Sequence, residues 1–169
     1  DRVEVDTRNG STPDKSVIEV KVKERSTGSI SFGAGYSSTN GILGDTSIRE
    51  KNLLGRGQDL KFGIQAGAKT KQADISFTEP YFLGKKLTAG FDIFRTIKDL
   101  QTESSYDKRS TGFALRTGYK VSNELSQRWK YTLRGDKITD VPSTASLAIK
   151  EQEGDSVTSS VGHKLLFDK

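Results

Sequence analysis

Leu60-Lys61-Phe62-Gly63-Ile64-Gln65-Ala66-Gly67-Ala68 is the stretch that decides the fold. An apolar side chain stands at every second position, with Lys, Gly or Gln between. A period of two belongs to an extended strand whose faces meet different surroundings, whereas a helix repeats every 3.6 residues. Lys69-Thr70-Lys71 follows and reads as a tight turn. Beyond it the pattern resumes, with Ala73, Ile75 and Phe77 against Asp74, Ser76 and Thr78.

The same alternation extends in both directions. Downstream, Leu87, Ala89, Phe91 and Ile93 oppose Thr88, Gly90, Asp92 and Phe94. Phe113, Leu115, Tyr119 and Val121 oppose Ala114, Arg116, Gly118 and Lys120. Trp129, Tyr131 and Leu133 follow, and then Val157, Val161, Leu165 and Phe167, which share a face with Ser159 and His163. Upstream, Ile30, Phe32, Ala34 and Tyr36 alternate with Ser29, Ser31, Gly33 and Gly35. A weaker strand is expected over 42–51. This gives about eight strands from Gly28 onward, most near the length a tilted strand needs to cross a bilayer. The polar stretches Lys98–Asp107 and Val141–Asp155 read as longer loops. An up-and-down barrel places short turns on one side of the membrane and longer loops on the other.

The composition fits that reading better than a soluble core. Of 169 residues, 32% are hydrophobic and 29% charged, and mean hydropathy is −0.61. Globular domains carry roughly 45–50% apolar residues on a count that includes glycine. A barrel in lipid needs apolar side chains on its outer face only. The net charge of +5 comes from interleaved Lys, Arg, Asp and Glu, which describes a solvated polar face and not a nucleic-acid patch. There is no cysteine, hence no disulfide framework, thiolate nucleophile or cysteine metal site. No run approaches the ~18 apolar residues of a membrane helix, and no signal peptide opens the chain. Asp1 in place of Met reads as a processed chain or an excised piece.

The first residues differ. Val3-Glu4-Val5-Asp6 and Val17–Val22 read as two strands joined by the loop Arg8–Lys15, which contains Asn9-Gly10 and Pro13. They suit a hairpin that closes a small soluble domain over residues 1–25 and feeds a barrel over 26–169.

Catalytic chemistry is not expected. The single histidine, His163, lies in a strand without a carboxylate at ligand spacing. Neither a nucleophile elbow nor a phosphate loop is visible, and no catalytic residue, cofactor or metal is assigned. Trp129 and Tyr131 suit lipid-facing or interfacial anchors. Gly33 and Gly35 sit inside a strand, where glycine weakens pairing. They either make room in the interior or mark a strand built to exchange partners.

Two segments are more specific. Glu50-Lys51-Asn52-Leu53-Leu54-Gly55-Arg56-Gly57-Gln58 joins two strands. Phe77-Thr78-Glu79-Pro80-Tyr81-Phe82-Leu83-Gly84 ends another, since Pro80 cannot donate to a ladder and Tyr81 and Phe82 suit an aromatic girdle. These resemble turns of the BamA superfamily of outer-membrane assembly factors, whose members carry a 16-stranded barrel after periplasmic POTRA domains. Val20-Lys21-Val22-Lys23-Glu24-Arg25 with Thr27-Gly28 resembles the exit from the last POTRA domain, and Ser31-Phe32-Gly33-Ala34-Gly35-Tyr36 the first barrel strand. The family's Val-Arg-Gly-Phe/Tyr loop motif and C-terminal strand are absent, so the resemblance is to the N-terminal half of a barrel.

That resemblance implies an all-β, antiparallel barrel segment with a POTRA-derived hairpin, placed in the bacterial outer membrane with its N-terminal segment in the periplasm. The implied function is assembly and insertion of outer-membrane β-barrel proteins. Precursor strands would be templated at a lateral gate formed by Gly28, Ser29, Ile30, Ser31, Phe32, Gly33, Ala34, Gly35 and Tyr36. Asn52, Leu53, Leu54, Gly55 and Gly57, with Thr78, Glu79, Pro80, Tyr81 and Phe82, carry the family motifs. Implied partners are outer-membrane protein precursors, outer-membrane lipid and the machinery's lipoproteins, with no nucleic acid. Exposed strand edges would also let the piece associate with itself. Other readings are a two-partner secretion translocator of the same superfamily, a complete eight-stranded structural or pore barrel, and a soluble β-sandwich. The eight-stranded barrel requires Ser29–Tyr36 to pair with Val157–Phe167.

Overall fold

The computed structural model describes residues 2–12, 15–23, 26–38 and 41–168. Within them the chain is strand nearly throughout. β1 (Arg2–Asn9) and β2 (Ser16–Lys23) form a separate two-stranded sheet. Their register sets Val3 opposite Val22 and Val5 opposite Val20, so the valines share one face. The other face carries ion pairs, Arg8–Glu19 at 2.8 Å and Lys21–Asp6 at 3.4 Å. β1 runs through Arg8 and Asn9, so the loop is shorter than expected and is closed by the Gly10 amide donating to the Lys15 carbonyl at 2.8 Å. Pro13 and the Glu24-Arg25 junction lie outside the described residues.

The remaining strands are β3 (Gly28–Ser37), β4 (Gly41–Leu53), β5 (Gln58–Gly67), β6 (Thr70–Glu79), β7 (Leu87–Asp99), β8 (Asp107–Lys120), β9 (Leu125–Thr139) and β10 (Gly154–Phe167). They form one antiparallel sheet in simple sequence order, with β3 at one edge and β10 at the other. Ser29–Tyr36 therefore pair with β4 and not with Val157–Phe167, and the described sheet does not close into an eight-stranded barrel. Among the described residues there is also no second sheet of comparable size to bury its apolar side.

Register turns the sequence alternation into a surface. Ile30 faces Ile48, which faces Phe62, and the row continues through Ile75, Ile93 and Phe113 to Leu133. A neighbouring row runs Leu60, Phe77, Phe91, Leu115, Tyr131, Val161, with the Phe77 and Phe91 rings 5.5 Å apart. Cross-strand partners lie on the same face, so the two rows together draw on all eight strands of the sheet for one apolar band. Burial runs opposite to a soluble protein. Phe113 is 38% exposed and Phe32 83%, while Ala114 is fully buried and Asp136 only 7% exposed on the polar face. Hydrocarbon is the medium that suits such a face.

The polar face is internally paired. Arg116 on β8 reaches across two strands, with Nε 2.9 Å from Asp92 on β7. Its Nη2 donates to Ser76 Oγ at 3.0 Å and to Thr78 Oγ1 at 3.2 Å on β6. The Nε contact is an ion pair out of line for a hydrogen bond. Asp136 accepts from Ser110 Oγ at 2.6 Å and lies between Arg134 at 3.0 Å and Lys108 at 3.4 Å. Gly90 makes room for the first cluster: a Cβ there would stand 3.2 Å from Arg116 Nη2 and 2.5 Å from the Phe77 carbonyl.

The connections correct the sequence reading in detail. The tight turn is Ala68-Lys69, since β6 already begins at Thr70. Val121 belongs to the turn after β8, where its amide and that of Ser122 both donate to the Leu125 carbonyl. The two long loops shelter single-turn helices, α1 (Gln101–Ser104) and α2 (Leu147–Lys150), too short to show a helical period. Both loops lie at the same end of the sheet, as expected, but that end also holds the two-residue Ala68-Lys69 turn.

A charge in the apolar band gives the first prediction. Ile93→Arg in the full-length protein folded into vesicles should lose roughly 2–4 kcal/mol, whereas Thr96→Lys on the polar face should stay within about 1 kcal/mol. Denaturant titration measures both. Equal losses would place the lipid on the wrong face.

Candidate functional site

β3 is bonded to β4 along its whole length, from Gly28 opposite Glu50 to Ser37 opposite Gly41. On its other side it is a sheet edge. All nine residues from Gly28 to Tyr36 lie on this strand. Ile30, Phe32 and Tyr36 point outward and are 63%, 83% and 80% exposed. An edge strand directs about half of its N–H and C=O groups away from its partner, ready to pair with another extended chain.

The two interior glycines of β3, Gly33 and Gly35, differ in their surroundings. A Cβ on Gly33 would run into the carboxylate of Asp45, its cross-strand partner. Gly63 stands in the same relation to Asp74, where a Cβ would come within 3.1 Å of Oδ1. A side chain at position 33 would have to push the exposed Asp45 carboxylate aside. A Cβ on Gly35 would meet nothing within 4 Å, so space does not explain that glycine.

The family-like segments meet at the Gly28 end of the sheet. Between β4 and β5, Asn52 organises the turn: its carbonyl accepts from the Gly55 amide at 2.9 Å and its Oδ1 from the Gly57 amide at 2.6 Å. The chain there is left-handed, with φ of 55° at Leu54, 73° at Gly55 and 68° at Gly57, which glycine adopts freely and Leu54 only at a cost of about 1 kcal/mol. Thr78 and Glu79 end β6, and Pro80 and Tyr81 turn into a short 3-10 segment, Phe82–Gly84. Glu79 fastens the segments together. It accepts from Gln58 Nε2 at 2.6 Å and from the Tyr81 amide at 2.9 Å. A Cβ on Gly57 would reach the Pro80 ring at 3.8 Å.

Thr27 and Glu50, which stand in the quoted stretches with no role of their own, hold the start of β3. Glu50 Oε1 accepts from the Asn52 amide at 2.9 Å and from the Thr27 hydroxyl, and the Lys51 amide donates to the Thr27 carbonyl at 3.4 Å. The start of β3 is thereby tied to the turn. Nothing in the alternation flags Glu50 beyond its being a charge on the phase of β4 that carries Ile42 and Ile48. The Trp129 ring stacks on His163 at 4.0 Å on the outer face, and His163 Nε2 lies 3.2 Å from Gln127 Oε1. Among the described residues, no group of His, Cys, Asp and Glu is placed to hold a metal ion.

A single antiparallel sheet that is apolar outside, polar within and open at both edges is a segment of a transmembrane β-barrel. The chain belongs to the Omp85 superfamily, whose domain matches residues 52–169. It is 29% identical over 153 residues to the outer membrane protein assembly factor BamA of Neorickettsia risticii, covering 90% of this chain and 21% of that one. It is 30% identical over 150 residues to BamA of Nitratidesulfovibrio vulgaris, covering 89% and 18%. The crystal structure of BamA from Haemophilus ducreyi lacking POTRA domains 1-3 superimposes with a TM-score of 0.69 at 26% identity, over 97% of this chain and 34% of that one. The chain thus spans about a fifth of the length of these curated relatives.

Proposed function

We propose that this chain is the edge-bearing part of an outer-membrane assembly factor, in which β3 templates the strands of incoming β-barrel precursors. The carrying observation is the free edge of β3, a ten-residue strand with an apolar outer row and a glycine, Gly35, that packing does not require. An unsatisfied backbone group in hydrocarbon costs several kcal/mol. In the membrane such an edge is therefore always occupied, either by the barrel's own closing strand or by a precursor. Exchanging one strand for the other leaves the number of backbone hydrogen bonds nearly unchanged, so a weakened seam suffices to let a precursor in. No covalent bond is made or broken, and the backbone supplies the recognition.

On this reading residues 1–25 are the end of the last POTRA domain, on the periplasmic side, and 26–169 are the N-terminal half of the barrel. The partners are precursors, membrane lipid and the machinery's lipoproteins. The relatives' description as outer membrane protein assembly factors supports this.

Single cysteines along Gly28–Tyr36 of the full-length protein, paired with cysteines on the terminal strand of a stalled precursor, test the reading. Disulfides should form in one antiparallel register, over several successive pairs. Capture only at sites away from β3, or in no consistent register, would sink it.

A further inference from the structure

Thr27, Glu50 and Asn52 clamp one end of the template strand, while four of the hairpin's five glycines lie toward the other. At the clamped end, Glu50 Oε1 accepts from both Asn52 N and the Thr27 hydroxyl, and Lys51 N donates to Thr27 O. Glu50 also covers Gly28, since a Cβ there would lie 3.1 Å from its Oε2. Asn52 is itself held by the Gly57 amide, and the next residue, Gln58, is held by Glu79. The clamp is therefore continuous with the turn joining β4 to β5 and with the end of β6.

The far half of the hairpin contrasts with this. Gly33 and Gly35 of β3, and Gly41 and Gly44 of β4, all lie there, paired as Gly33 with Asp45, Ala34 with Gly44, Gly35 with Leu43 and Ser37 with Gly41. Glycine contributes no side-chain packing and gains most from being released, so this half of the ladder is the weaker. The near half instead pairs Ile30 with Ile48 and Ser29 with Arg49.

We infer that Glu50 is a positioning residue: with Thr27 it fixes a hinge at the Gly28 end of β3, about which the glycine-rich far half parts from β4 first. A hinge at that end keeps the register of the template constant while its far half adjusts to an incoming strand. This rests on the templating function proposed above.

Hydrogen exchange of the detergent-folded full-length protein, read by mass spectrometry without any precursor, tests the hinge. Among β3 amides that face β4, those of Gly33–Ser37 should exchange about tenfold or more faster than those of Gly28–Ser31. Glu50→Ala and Thr27→Val should each raise the near-end rates by about tenfold, the effect expected of losing a hydrogen bond or two. Glu50→Gln retains an acceptor oxygen and should keep the wild-type gradient. Uniform protection along β3, near-end rates unmoved by both Glu50→Ala and Thr27→Val, or Glu50→Gln behaving like Glu50→Ala would overturn the inference. Because no precursor is present, its failure would leave templating untouched. Failure of cysteine capture would equally leave the hinge standing.

Discussion

A disulfide that joins β3 to the strand closing against it in the full-length protein should abolish precursor insertion, and reductant should restore it. The loss is expected to be complete because the bond removes the one step the mechanism requires. Templating needs the backbone donors and acceptors of Gly28–Tyr36 to leave one partner and take another. A covalent tie holds the first partner in place and leaves the barrel folded. Heat-modifiable migration on gels shows that the locked protein is still folded, and an insertion assay with a radiolabelled precursor gives the rate. Normal insertion with the bond fully formed would contradict the mechanism.

The second large effect lies on the polar face. Asp136 is almost wholly buried, accepts from Ser110 and balances both Lys108 and Arg134. Asp136→Ala would leave two cations facing each other without their shared anion. Removing one member of a buried ion pair typically costs about 3–5 kcal/mol. Lys108 and Arg134 are 31% and 43% exposed, so water relieves part of that penalty, and a loss of about 2–3 kcal/mol is expected. Asp136→Asn keeps an oxygen for Ser110 and should lose less. Urea titration in detergent separates the two variants; a change under about 0.5 kcal/mol for Asp136→Ala would mean that solvent already screens the cluster.

Much of this architecture is legible in the sequence because a period of two survives even in a polar chain. Leu60–Ala68 announces β5, and Ile30–Tyr36 and Phe113–Tyr119 do the same for β3 and β8. Boundaries are less legible, for local reasons. Val121 continues the alternation, yet the turn captures its amide, and a four-residue helix such as α2 has no period to read. The face-to-face rows depend on register, which the alternation restricts to one parity but does not fix. The hairpin turns set the rest.

The site was legible in part. Gly28–Tyr36 could be read as a strand, and its position at the sheet edge followed from the resemblance, not from its residues. The meeting of Asn52–Gly57 with Thr78–Phe82 is a tertiary event, made by the Gln58–Glu79 hydrogen bond between residues 21 apart. Glu50 was hidden for the same reason, since its partners Thr27 and Asn52 become neighbours only once β3 and β4 have paired. Arg116 and Asp136 could be read as polar-face charges, but only the register shows that each has partners on adjacent strands.

An open β-sheet whose outer face belongs in lipid should seek a partner for each of its edges. The most direct test is its mass in solution with and without detergent, measured alongside circular dichroism. A β-rich species that requires detergent and is heavier than one chain is expected, since two free edges in an apolar medium pair with those of another copy. A β-rich monomer that stays dispersed without detergent and unfolds cooperatively would contradict it. Such a chain would have closed upon itself, leaving no edge to template anything.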